Sequence, residues 1–166
     1  MKKIKRINHS LKTFHYEKIN TLFTKPFIGC EIIAGFSGET GNDFEECFKN
    51  LEIANISKIH VFPYSKRRNT AAFSFPDEID DDTKRKRADL LKKLSSVKYY
   101  NFLEENIGTV QEVQVQKKID KKTGLYKGTT RNYIDVYIDS QNDITNQILN
   151  VKLVKVLNDR VYGELV

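Results

Sequence analysis

The hydrophobic period of this chain changes once, near Gly108, and that change constrains the fold more than any other feature. Before it, apolar residues recur at helical spacing or in short unbroken runs; after it, they alternate with polar ones. Helical spacing buries one stripe of a helix, whereas a period of two buries one face of a strand. The chain must therefore build two kinds of core. The expected fold class is α/β plus β, with a first domain over residues 1–107 and a second over 108–166.

In the first part, Leu11, Phe14, Lys18, Ile19 and Leu22 fall close to helical spacing, and Pro26 closes that helix. Phe27 to Ala34 reads as a buried strand, and the loop GFSGETGND leads from it into a second helix. There Phe44, Cys47, Phe48 and Leu51 form an apolar stripe behind an Asn42/Asp43 cap. Ile56 to Phe62 is the next strand. Connections this long imply a parallel sheet with crossover helices. The acidic cluster Asp77 to Asp82 then caps a long helix from Asp81 to Asn106, with Leu90, Leu91, Leu94 and Val97 inward and Gly108 as its stop.

Beyond Gly108 the expected strands are Val110–Gln116, Asn132–Ile138, Ile148–Leu157 and Val161–Val166, with a turn at Asn158-Asp159. In Tyr133–Ile138 the alternation puts Ile134, Val136 and Ile138 on one face and Tyr133, Asp135 and Tyr137 on the other. Together these segments predict a small antiparallel barrel.

Charge adds a hint about partners. The 166 residues carry 28 Lys+Arg against 22 Asp+Glu, a net +6 that suits a polyanion. Residues 1–30 hold seven of those cations against Glu17 alone, and later runs lie at Lys66 to Arg68, Lys84 to Arg87 and Lys117 to Lys122. Cys30 and Cys47 are too few for a disulfide framework or a four-ligand zinc site. No apolar run reaches signal-peptide or membrane-span length. A cytoplasmic protein with reduced thiols, and no membrane partner, is expected.

Several motifs admit a functional and a structural reading. The glycines of Gly35-Phe36-Ser37-Gly38-Glu39-Thr40 could bring backbone N–H groups to an anionic or nucleotide ligand, or simply make a tight strand-to-helix turn. The dinucleotide, Walker and nucleophile-elbow patterns all fail here, so Ser37 is a poor nucleophile. His60 reads as a packed strand histidine, His9 and His15 as solvated, and both thiols as inert. No metal spacing is present. The basic stretch Lys117 to Lys127, beside Tyr126, Arg131, Asn132 and Tyr133, could hold RNA by phosphate contacts and stacking, or could be a charged hairpin loop.

Taken in order, EIIAGFSGET, KIHVFPYSKRRNTAA and KRKRADLLKKLS resemble the C-terminal part of a radical S-adenosylmethionine tRNA methylthiotransferase. Its pattern is close to D-I-I-V-G-F-P-G-E-T followed by H-V-F-P-Y-S-x-R-x-G-T-x-A. The terminal GTVQEVQVQ, KGTTRNYIDVYI and last strand pair resemble the TRAM β-barrel that ends those enzymes. The implied architecture is the end of a partial radical SAM (βα) barrel followed by a TRAM-like β-barrel. The His-Val-Phe-Pro-Tyr-Ser version points to the branch that methylthiolates C2 of N6-threonylcarbamoyladenosine in tRNA.

The resemblance implies S-adenosylmethionine contacts at Ile33, Gly35, Val61 and Phe62. It implies substrate or RNA contacts at Arg67, Thr70, Lys117, Lys118, Lys127, Arg131 and Tyr133. Ser37, Asn69 and Cys30-Glu31 depart from the usual Pro, Gly and Thr-Asp. The complete enzyme would use S-adenosylmethionine and 4Fe-4S clusters, whereas this chain has no Cys-x-x-x-Cys-x-x-Cys triplet. The expectation is a tRNA-binding C-terminal portion, inactive by itself, with no cofactor and no catalytic or metal-ligating residue of its own. Its alternatives are a non-catalytic RNA-binding module, or a subunit whose N-terminal part is separately encoded.

Overall fold

A computed structural model describes residues 18–19 and 21–166. Their compact units divide between Tyr99 and Tyr100. The first unit contains β1 (Gly29–Ala34), α1 (Gly41–Ile53), β2 (Lys58–Pro63) and most of α2 (Asp81–Asn106). The second contains β3 (Val110–Ile119), β4 (Tyr126–Thr130), β5 (Asp135–Ile138), β6 (Ile148–Leu157) and β7 (Arg160–Leu165). The division falls within α2, whose last turns carry the buried Phe102, Leu103 and Asn106. Residues 18–19 and 21–22 are helical, while the rest of the expected first helix, with His9 and His15, lies outside the described residues.

In the first unit β1 and β2 pair in parallel, from Gly29 beside Lys58 to Ala34 beside Pro63, with α1 as the crossover. Thr40, not Asn42 or Asp43, is the cap of α1. Its hydroxyl accepts from the Asp43 amide and the Asp43 carboxylate accepts from the Thr40 amide, each at 3.1 Å. Phe44, Cys47, Phe48 and Leu51 pack against one side of the sheet with Cys30, Ile32, Ile59 and Val61. Both thiols therefore contribute to packing.

Among the described residues only one face of β1–β2 is covered in this way, so the strand expected to be buried is instead half open. Glu31, Ile33, His60 and Phe62 share the other face, with Glu31 beside His60 and Ile33 beside Phe62. His60 is exposed rather than packed, because strand alternation turns it away from the core that holds Ile59.

The buried face of α2 also differs from expectation. Leu91 and Leu94 turn inward, but Leu90 and Val97 are exposed. Several inward positions hold polar groups with backbone partners. The Ser95 hydroxyl accepts from the Ile59 amide (3.0 Å) and donates to the Ile59 carbonyl (2.8 Å), covering the edge of β2. Lys98 donates to the carbonyls of Glu52 (2.9 Å) and Ala54 (2.8 Å), closing the end of α1. A search for apolar spacing misplaces such a stripe by one position.

In the second unit five strands close a barrel in the order β3-β4-β5-β7-β6. A ring of five strands cannot alternate direction all the way round, so at least one pair must be parallel. Here β5 and β7 are that pair, which corrects the fully antiparallel expectation. Val113, Val115, Ile134, Val136, Ile138, Val151, Leu153 and Val161 fill the interior. Gly163 faces it as well. A methyl there would meet Val151 and come within 2.9 Å of Val136, so only glycine lets the wall approach this closely. Asn158 and Asp159 both take positive φ (51° and 57°), the type I′ geometry that matches strand twist between β6 and β7.

Strand β4 was not expected. Tyr126 and Lys127 belong to it rather than to a loop, and Lys117 and Lys118 belong to an extended β3. Strand β5 is shorter than expected because Tyr133 takes φ 62° in a turn.

Candidate functional site

The expected site residues fall in both units. In the first, Ile33 and Phe62 are register partners on the open face, 54% and 50% exposed, and form an apolar pair beside Glu31 and His60. Val61 lies on the opposite face and packs against the core. Strand alternation could have drawn Glu31 and His60 into the candidate site from sequence, since both are two residues from a selected position.

Gly35 follows β1 with φ 74°, and a side chain there would meet the Lys84 Cγ at 2.6 Å. Its amide donates to Glu39 Oε2 (2.9 Å), and Arg87 donates to that oxygen (2.6 Å) and to the Glu39 carbonyl (3.0 Å). The Arg87 guanidinium also lies 5.3 Å from the Phe44 ring centroid. The loop's amide is thus engaged by the chain's own carboxylate, so it is a tied turn rather than an open anion cradle. Glu39 donates to Phe36 through its amide (2.9 Å), and Gly38 takes φ 79°. Those features define a type II turn with Ser37 at the position that prefers proline.

Beyond β2, Thr70 donates to the Arg67 carbonyl (2.8 Å), which brings those two exposed residues together. Asn69 between them has φ 65°. Asparagine is among the few non-glycine residues that tolerate this region, so the backbone shape is kept without glycine.

In the barrel, the ladder separates the expected RNA residues into two groups. Lys117, Lys118 and Lys127 lie near the Ile119–Tyr126 end of β3–β4. The register slips between Val115 and Ile119, and this bulge leaves Gln116, Lys117 and Lys118 all exposed. With Asp120, Lys121 and Tyr126 they line an open depression of about 730 Å³. Lys127 pairs with Asp135 at 2.7 Å, and that hydrogen bond raises its ammonium above the ordinary value.

Arg131 and Tyr133 lie at the other end of the ladder, near the Val113–Thr130 pair. Arg131 forms an ion pair with Glu112, and Tyr133 is 72% exposed. An aromatic ring so open can stack on an unpaired base, while the lysine-lined depression suits phosphates. Among the described residues no group of three His, Cys, Asp or Glu could hold a metal ion, and no helix is long and apolar enough to cross a membrane.

Comparison with known proteins bears on this arrangement. The chain is 26% identical over 167 aligned positions to a tRNA-2-methylthio-N(6)-dimethylallyladenosine synthase of Endomicrobium trichonymphae, covering 98% of this chain and 39% of that protein. It is 31% identical over 127 to the threonylcarbamoyladenosine tRNA methylthiotransferase MtaB of Bacillus subtilis, covering 75% and 28%. A synthase of the first kind from Finegoldia magna is 30% identical over 139, covering 82% and 30%. These relatives are tRNA methylthiotransferases. The chain spans about a third of their length. No family model matches it.

Proposed function

We propose that this chain is the C-terminal portion of a tRNA methylthiotransferase, with its barrel acting as a TRAM-like domain that binds tRNA. The observation that carries the reading is similarity along 98% of the chain to such an enzyme, on a sequence that closes a five-stranded barrel with a lysine-lined depression. In the first unit, β1 and β2 would be the last strands of a radical SAM barrel. Ile33 and Phe62 offer apolar contact to the adenine of S-adenosylmethionine, and Gly35 shapes the end of that face. Val61 would support the strand from behind. Arg67 and Thr70 would lie on the substrate side.

An iron–sulfur cluster does not fit the cysteines of this chain. Cys30 and Cys47 lie on separate elements and both pack against the apolar core. Cluster ligands would have to come from other sequence, such as a separately encoded N-terminal part acting as partner. Supplied with iron, sulfide and S-adenosylmethionine, the isolated chain is expected to cleave none of the last; turnover would overturn the assignment of the cluster to other sequence.

The segment His60 to Ser65 and the Bacillus subtilis relative favour N6-threonylcarbamoyladenosine as the base that the complete cytoplasmic enzyme modifies at C2. Relatives of the dimethylallyladenosine kind supply the rival outcome. Disrupting the gene should remove the 2-methylthio group from the first nucleoside in total tRNA while sparing the second.

Binding tests the central reading. The full chain should bind tRNA at low salt, with affinity falling steeply as salt rises, and exchanging Lys117 and Lys118 for glutamine should reduce that salt slope. Absence of binding at low salt would defeat the proposal. Binding without any role in methylthiolation in the cell would favour the simpler RNA-binding module.

A further inference from the structure

Four residues distant in sequence form one row across the outer wall of the barrel. Lys127 on β4 stands beside Tyr137 on β5, Tyr137 beside Tyr162 on β7, and Tyr162 beside Lys155 on β6. Register partners share a face. Their chain neighbours Val136 and Val161 fill the interior, so the row points outward. A bulge places Lys155 in it. The β6–β7 register slips between Leu153 and Lys155, whereas plain alternation from the buried Leu153 would turn Lys155 inward.

The two rings lie 6.0 Å apart at 36°. Each carries a cation. The Arg160 guanidinium is 5.2 Å from the Tyr137 centroid, and the Lys155 ammonium is 5.6 Å from the Tyr162 centroid. A cation seated on a ring is held in place without a direct ion pair, although Asp120, kept below the ordinary carboxylate value chiefly by its hydrogen bonds with Thr123, also feels the Arg160 charge. Lys127 belongs to the other kind, since Asp135 holds it. Arg160 and Lys155 therefore present oriented positive charge at a reduced entropic cost of binding.

Two further observations decide what this charge suits. Tyr137 is only 8% exposed, which leaves no ring face for a stacked base. Lys127 also lines the lysine-rich depression, so the row continues directly from it.

We infer that the row Lys127–Tyr137–Tyr162–Lys155, with Arg160, is a second RNA-contact surface that tracks backbone phosphates from the depression across the barrel wall. The inference rests on the barrel's reading as a tRNA-binding domain, and it adds Arg160 and Lys155 as phosphate contacts and the two tyrosines as their supports. Bases would be read elsewhere.

The test uses the full chain and labelled tRNA over a salt series. K155Q and R160Q should each lower the slope of log affinity against log salt by about 1, and the double variant by about 2. Y162L should weaken binding in the same direction by removing the ring beneath Lys155. K92Q, which alters a surface lysine paired with Asp89 on α2, should leave the slope unchanged. A double variant with wild-type slope would overturn the inference while leaving the domain's RNA binding intact. So would an equal loss in K92Q, which would mark general electrostatics, or equal competition by polyglutamate, which would mark an acidic protein partner. Failure of the wild-type chain to bind tRNA at all would instead defeat the underlying functional reading.

Discussion

The two halves of this molecule solve the problem of a sheet's edges and faces in opposite ways. The barrel closes on itself, so each strand has a partner on both sides and apolar side chains fill the interior. Among the described residues, the sheet of the first unit has two strands, one face packed by helices and one face open, with Ser95 of α2 serving the edge of β2 at Ile59. Closure makes a rigid wall on which charge can be arranged. An open face leaves apolar side chains available for contact.

That contrast can be broken most directly by truncating side chains. Leu153→Ala inside the barrel should cost about 2–5 kcal/mol, since the closed wall cannot collapse into the void. Phe62→Ala on the open face should cost less than about 1 kcal/mol, because half its surface already meets solvent. Urea unfolding followed by hydrogen exchange separates the two effects. Equal losses would mean that the open face is packed in solution.

Overpacking gives the next largest effect. Gly163→Ala should destabilise the barrel by about 1–3 kcal/mol, because Val151 and Val136 must both move. Thermal unfolding measures it directly.

Alkaline pH should move the halves in opposite directions. Lys127 is raised by its hydrogen bond to Asp135, so its stabilising contribution is complete below the ordinary lysine value of 10.5 and is lost as pH rises through the higher folded value. Burial lowers Lys98, whose charged form is therefore disfavoured by folding, and the first unit should gain stability as pH rises from that lower value towards 10.5. Amide exchange between pH 9 and 11 tests both signs, with K127M and K98M removing the respective dependence.

The smallest expected effect is a gain. Ser37 has a buried hydroxyl without a hydrogen-bond partner and occupies the proline-favouring position of a type II turn. Ser37→Pro should stabilise the first unit by about 0.4–1 kcal/mol, chiefly by restricting the unfolded chain. A lower melting temperature would show that the turn is of another type.

Local signals were legible wherever near neighbours decide conformation. The bounds of α2 and β6, the parallel pairing of β1 with β2, and the Asn158-Asp159 turn follow from capping carboxylates, apolar runs and adjacent residues that accept positive φ. The candidate site was less legible. Alternation places Ile33 beside Phe62 on the open face but turns Val61 to the core, and His60, whose strand position suggests packing, is exposed beside Glu31. Strand β4 was hidden because Lys127, Gly128 and Thr129 lack apolar alternation, and a charged strand looks like a loop.

By itself, the sequence determined that the chain has two kinds of core, since periodicity is a property of neighbouring residues. Only the tertiary structure decided that five strands close with a parallel β5–β7 pair, and that a slip on β6 turns Lys155 outward beside Tyr162. The inward lysine and serine of α2 belong to the same class. Register and closure join residues far apart in the chain, and geometric complementarity between strands, not local preference, fixes them.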